Sequence, residues 1–253
     1  MKVELHNAGD SYSLSAAVLI YTNPHRGHAF ATKHDIEVDG GRPMVRPGTP
    51  FNEGDYRSLV KALAPAEQPG LQWHDQRVLA KGLGRVVWWT PPQKRAMFFS
   101  KSSHDAGTFD GRGVCPCPGL VFTTIDNALY VFAIRGTNAP TRETELCQAP
   151  FFNVWSRGQV CVGNAQVPQD KRDDLDAWER MFFGSHFTHP NFTEADRLTV
   201  GVPPTRFWKQ QTIKPGKTFP DRVLFDLGLR VGDLLGVDAA TRLRNIPKAK
   251  GEF

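Results

Sequence analysis

Between residues 76 and 135 the apolar residues come in short runs, rich in aromatic and β-branched side chains and cut by turn signals. Val86-Val-Trp-Trp89 stops at Pro91-Pro92, and Arg95-Ala-Met-Phe-Phe99 follows. Leu120-Val-Phe-Thr-Thr124 and Ala128-Leu-Tyr-Val-Phe-Ala-Ile134 flank Ile125-Asp-Asn127. Runs of this length and content form strands. Asp-Asn between two of them is hairpin chemistry. The expectation is an antiparallel strand meander. After it comes an irregular segment, and then a helix predicted from near Pro168. Asp170 is placed to cap that helix, and Asp173 and Asp174 sit near the positive end of its dipole. Leu175, Trp178 and Phe182 fall on one face of it. The fold class is therefore α+β: a meander sheet covered by helices on one side.

The first 72 residues read as an N-terminal, β-rich elaboration. Leu14–Tyr21 and Ile36–Asp39 are strand candidates, the second ending at Gly40-Gly41. A helix is expected over Thr49–Ala64, because Tyr56, Leu59, Val60 and Leu63 repeat near a 3.6-residue period. The breaker-rich stretch 64–70 ends it. Residues 73–237 form the expected core. Arg222–Leu235 is a second helical candidate, weakened by Gly228 and Gly232. Residues 238–253 read as a basic flexible tail.

Between the meander and the helix lies Pro150-Phe-Phe-Asn153-Val-Trp-Ser-Arg-Gly158-Gln-Val-Cys161-Val-Gly163. A cysteine offers a nucleophile that can hold an acyl group as a thioester. An asparagine offers a neutral donor for the oxyanion formed when that acyl group is passed on. Each residue also has a plainer reading. Cys161, between Val160 and Val162, fits a small buried residue. Asn153 fits a loop-ordering amide. Arg157 would favour thiolate if it stood beside Cys161. His186 and His189 follow the helix, and either would serve as a base if it reached the cysteine. His189, ahead of Pro190, is the functional choice and His186 the structural one.

Asn153, Gly158 and Cys161 resemble the core of ubiquitin-conjugating enzymes. Their signature runs His-Pro-Asn, then seven intervening residues with a glycine among them, then the catalytic cysteine. Phe151 and Phe152 stand where that signature has His-Pro. Val87-Trp-Trp-Thr-Pro-Pro92, Met97-Phe-Phe99, Leu129-Tyr-Val-Phe132 and Phe183-Gly-Ser-His-Phe-Thr-His-Pro190 extend the likeness. Together they resemble prokaryotic ubiquitin-conjugating-enzyme-like family D, the group found in PRTRC cassettes. The resemblance implies a conjugating-enzyme-like core, with Cys161 and Asn153 catalytic and Gly158, His189 and Arg157 supporting. It implies a thioester carrier in bacterial ubiquitin-like conjugation. The implied partners are a ThiF-like adenylating enzyme, a small ubiquitin-like protein and a JAB-type peptidase encoded nearby on mobile DNA. A second reading is a non-catalytic binding module of the same fold, acting in plasmid or mobile-element maintenance. The change to Phe151-Phe152 keeps it open.

Composition narrows the remaining classes. No apolar run approaches the length of a membrane span. The first residues, Met1-Lys-Val-Glu-Leu-His6, lack the apolar core of a signal peptide, so the expected setting is cytoplasmic. Four cysteines without a regular framework suit a reducing compartment. Cys115-Pro-Cys117 lacks a second ligand pair, so no metal is expected. No specific phosphate loop is present, and no cofactor is expected of this chain. The net charge is +5, with basic residues clustered over 206–222 and again after 242. A solvated basic face explains the tail. The 206–222 stretch also fits an acidic partner, and nucleic acid is the weaker idea.

Overall fold

The computed structural model describes residues 6–7, 10–11, 14–23, 28–63, 73–82, 85–101, 108–163, 165, 167–168 and 174–252. The chain divides into two compact units, Met1–Trp73 and His74–Phe253. In the first unit β1 (His6–Asn7) pairs with β2 (Asp10–Ser11). Strand β3 (Ala16–Asn23) runs antiparallel to β4 (His28–Asp39), which also pairs with β5 (Arg42–Val45) and β6 (Thr49–Pro50). Gly40 and Gly41 both take positive φ to turn β4 into β5. Helix α1 (Glu53–Leu63) starts where Asn52 and Asp55 cap each other reciprocally: each backbone N–H donates to the other's side chain at 3.1 Å. Its apolar stripe of Tyr56, Leu59, Val60 and Leu63 is exposed. The breaker stretch 64–70 lies outside the described residues.

The second unit is built on a six-stranded antiparallel sheet. Its strands are β7 (Val78–Gly82), β8 (Arg85–Thr90), β11 (Gly119–Ile125), β12 (Ala128–Ile134), β13 (Glu145–Gln148) and β15 (Asp226–Arg230), and the spatial order is β15-β13-β12-β11-β8-β7. Strands β9 (Gln93–Phe99) and β10 (Gly111–Cys117) pair in a separate three-stranded sheet. The register from Gly111↔Phe99 to Cys117↔Gln93 continues without slip as Leu120↔Thr90 to Thr123↔Val87. Residues 85–99 and 111–125 are thus one long hairpin. It bends where Pro91-Pro92 and Pro118 cannot donate to the ladder. Pro116 is tolerated because β10 is an edge strand. At the tip between β11 and β12, Asp126 and Asn127 both take positive φ, the twist-matched two-residue turn.

The two-residue alternation of the strands gives the sheet two apolar faces. Val86, Trp88, Leu120, Phe122, Val131 and Ala133 point one way, into the larger core. Helix α2 (Leu175–Gly184) and helix α4 (Pro204–Ile213, following the short α3, Ala195–Leu198) pack there through Trp178, Phe182 and Trp208. Helix α2 begins at Leu175 with Asp174 as its cap, the side chain accepting from Ala177 N–H at 2.9 Å. The expected caps at 170 and 173 lie outside the described residues. Its buried carboxylate, Glu179, accepts from Arg95 Nη2 at 2.6 Å, Arg77 Nη1 at 2.9 Å and Trp88 Nε1 at 3.3 Å. Those bonds fasten the helix to β8 and β9. Strand β14 (His186–Phe187) then leaves α2 to run parallel to β9.

Three expectations need correction here: the helix over 222–235, the flexible tail and the helical cover on one side of the sheet. Arg222–Leu235 is not a helix. Gly228 takes φ +67°, which breaks helical geometry, and the segment supplies β15 between two 3₁₀ turns. Residues 238–253 are not a flexible tail. They carry α5 (Ala239–Arg244) and bury Ala239, Leu243, Ile246 and Ala249. Ala239, Leu243 and Ile246 cover the second sheet face, formed by Val87, Val121, Phe132 and Ile134, so the sheet is covered on both sides. The basic residues had masked this apolar pattern.

Candidate functional site

Residues 153–161 form a short hairpin. Val154 pairs antiparallel with Val160, Trp155 N–H donates to Gln159 O at 2.8 Å, and Cys161 N–H donates to Asn153 O at 2.8 Å. The loop is Ser156-Arg157-Gly158. A three-residue hairpin loop closes through a left-handed residue, and Gly158 takes φ +83° there. The return arm lies along β12, with Val131 N–H donating to Gly158 O and Val160 N–H to Leu129 O, each at 2.8 Å. This explains the eight-residue spacing. Asn153 and Cys161 stand directly opposite each other, an arrangement that puts Cβ atoms roughly 5 Å apart. Val154 and Val160 are buried, so their neighbours Asn153 and Cys161 turn away from the core.

The stretch before the hairpin is held by aromatic packing. Phe151 stacks on Trp208 at 5.4 Å and meets Phe182 edge-on at 5.3 Å. Phe152 meets Phe99 edge-on at 5.7 Å, and Trp208 Nε1 donates to Pro150 O at 2.6 Å. The loop tip is tied as well. Arg197 Nη2 donates to Ser156 O at 2.9 Å, and Ser156 Oγ donates to the Glu252 carboxylate.

Cys161 is half-buried and opens on a groove of about 740 Å³, walled also by Asn153, Arg180, His189 and Asn191. Asn153 spans from the hairpin to the segment after α2. Its Nδ2 donates to His186 O at 2.8 Å, and its Oδ1 accepts from Thr188 N–H at 3.4 Å. One Nδ2 hydrogen is left over, because a primary amide carries two. His189 Nδ1 shares a hydrogen bond with Thr188 Oγ1 at 3.0 Å, leaving Nε2 free of that contact. His186 also lines the groove, and its ring lies 6.2 Å from Phe98.

The structure therefore brings Cys161, Asn153 and His189 together, with Gly158 shaping the turn that aligns them. It does not bring Arg157. That side chain reaches away from the groove and donates through Nε to Ile246 O at 2.9 Å. Arg180, on α2, is the arginine on the groove wall. Sequence reasoning missed Arg180 and Asn191. Helical spacing does not say which polar positions of α2 overlook the hairpin at 153–161. For Asn191 a signal existed, since it completes the tripeptide His189-Pro190-Asn191.

The other three thiols are sealed in the fold. Burial pushes Cys115 up to about 11, Cys117 up to about 12 and Cys147 up to about 12. They stay protonated and unreactive near neutral pH, since the thiolate is the nucleophile. Among the described residues no group of three or more His, Cys, Asp or Glu is arranged to hold a metal. Iodoacetamide at pH 8 is expected to modify one thiol of the folded chain, Cys161, and all four after unfolding in urea. Peptide mass mapping reads this directly. Modification of Cys115, Cys117 or Cys147 ahead of Cys161 would contradict the site.

A mixed α+β unit with an antiparallel meander, a thiol-bearing hairpin and a following helix defines a conjugating-enzyme-like (E2-like) class. A family model described as prokaryotic E2 family D matches residues 55–227, more than half of the chain, and the chain belongs to that family. No curated protein and no solved structure matches it. A role related to ubiquitin-type conjugation follows from the family. Among the described residues no helix is long and apolar enough to cross a membrane.

Proposed function

We propose that the chain is a thioester carrier in a bacterial ubiquitin-like conjugation system. The observation that carries this reading is the placement of Cys161, the one half-buried thiol among four, opposite Asn153 at the mouth of a groove. In the loading step the Cys161 thiolate attacks the activated C-terminal carbonyl of a small ubiquitin-like protein. A C–S bond forms and the activating enzyme's leaving group departs with its electron pair. In discharge an amine nitrogen forms the C–N bond and the carbonyl π pair moves onto oxygen. That pair returns as the C–S bond breaks, and Cys161 leaves as thiolate. The amine loses one proton, for which His189 Nε2 is the acceptor. The free Nδ2 hydrogen of Asn153 donates to the oxyanion.

The partners of this reading are a ThiF-like adenylating enzyme, a ubiquitin-like protein and a JAB-type peptidase. The setting is the bacterial cytoplasm, within a PRTRC cassette on a plasmid or other mobile element, where this chain would be protein B. Nucleotide chemistry belongs to the adenylating partner. A cysteine scan tests the assignment. With those partners and ATP, Cys115→Ser, Cys117→Ser and Cys147→Ser chains are expected to charge. Cys161→Ser is expected to charge as an ester that resists thiol or not at all. A thiol-sensitive adduct that survives Cys161→Ser would place the site elsewhere. Failure of the parent to charge would favour the binding-module reading.

A further inference from the structure

Asn191 is 4% exposed and lines the groove that Cys161 opens on. Among the described residues its Nδ2 has no hydrogen-bond partner. A buried donor without a partner is destabilising and uncommon, so a native one calls for a reason. Asn191 is held between His189-Pro190 and Phe192, itself buried, and Thr193 N–H donates to Lys250 O at 3.0 Å just beyond. The backbone carrying the amide is thus fixed on both sides. The side chain keeps one freedom: a half-turn about χ2 interchanges its oxygen and nitrogen, so the buried Nδ2 and the Oδ1 exchange places.

Asn153, which lines the same groove, has already given one N–H to His186 O. Oxyanion sites commonly converge two donors on one oxygen, and this groove has a second amide with both N–H groups unclaimed. We propose that Asn191 is that second donor, binding the carbonyl oxygen of the Cys161 thioester and the oxyanion that replaces it when an amine attacks. The electron flow is the one given for discharge, and Asn191 gains and loses no proton. The assignment rests on the thioester reading of Cys161. It adds that the segment after α2 contributes directly to the reacting centre.

The test separates this role from a packing role and from the carrier reading. Cys161 is acetylated with p-nitrophenyl acetate, which needs no protein partner, and the S-acetyl chain is mixed with lysine methyl ester. Mass spectrometry follows loss of the acetyl group in the parent, Asn191→Leu and Asn191→Ala, beside melting curves. Leucine replaces the unpaired amide with an apolar side chain of the same branching at Cγ, so Asn191→Leu is expected to keep or raise Tm while slowing aminolysis about a hundredfold. Opposite movement of stability and rate is what a structural amide would not give. A rate within about twofold of the parent in the folded variants would overturn the assignment, and if Asn191→Leu does not fold, Asn191→Ala decides alone. Loading of a ubiquitin-like protein is not part of this assay. A chain that never accepts one, yet shows Asn191-dependent aminolysis, would sink the carrier reading and leave the second donor standing.

Discussion

An Asn153→Ala chain is expected to load at Cys161 as the parent does and to transfer its cargo to an amine about a hundred- to a thousandfold more slowly. The thioester exists before the amine attacks, so the charged state depends little on an oxyanion donor. The oxyanion appears only in discharge, where a lost donor costs roughly that much in rate. The same amide ties the hairpin to the 186–188 backbone through two hydrogen bonds, at 2.8 and 3.4 Å. Its removal is therefore also expected to lower stability by about 1–2 kcal/mol. Single-turnover discharge to free lysine, measured beside a urea titration, separates the two roles. Discharge at the parent's rate would remove Asn153 from the chemistry and leave it as the tether alone.

Gly158→Ala is expected to be the most damaging single substitution in the hairpin. Its φ of +83° lies in the left-handed region, where an L side chain costs roughly 1–2 kcal/mol. A Cβ there would also stand 2.4 Å from the Phe132 ring, which is fully buried between β11 and β13 and has no room to retreat. Overpacking of that kind adds roughly 1–3 kcal/mol. The sum is a loss of about 2–5 kcal/mol, or relief by opening the turn. Opening it would move Cys161 out of line with Asn153, so charging is expected to fall with stability. Chemical denaturation gives the first quantity and the loading rate the second. A Gly158→Ala chain as stable as the parent would mean that the turn is not built as described.

Much of this architecture was legible in the order of residues. The aromatic and β-branched runs gave β8, β9, β11 and β12, and Leu175, Trp178 and Phe182 gave the buried face of α2. The Asn153, Gly158 and Cys161 spacing was readable because a three-residue loop closed by a left-handed glycine fixes which residues face each other. Other parts were hidden for physical reasons. Strand β10 contains Cys115-Pro-Cys117, and a proline inside a run argues against a strand unless its edge position is known. Strand β15 looked helical because Leu224, Leu227 and Val231 follow helical spacing, while Leu227, Leu229 and Val231 alternate as in a strand, and pairing with β13 decides between them. Arg157 lies close to the site in sequence but sits in the middle of the three-residue loop, where strand alternation no longer applies, and it donates to Ile246 O. Arg180 reaches the groove only through the packing of α2 on β9, which no local pattern encodes.

The central claim is that Cys161 carries a ubiquitin-like protein as a thioester. The direct measurement mixes the parent chain with the adenylating enzyme and ubiquitin-like protein encoded beside it, and ATP, and resolves the products on a non-reducing gel. The expected result is an adduct of one ubiquitin-like protein per chain that requires ATP, disappears with dithiothreitol and maps by mass spectrometry to Cys161. An adenylating enzyme that is itself charged, beside a parent chain that forms no such adduct, would contradict the account.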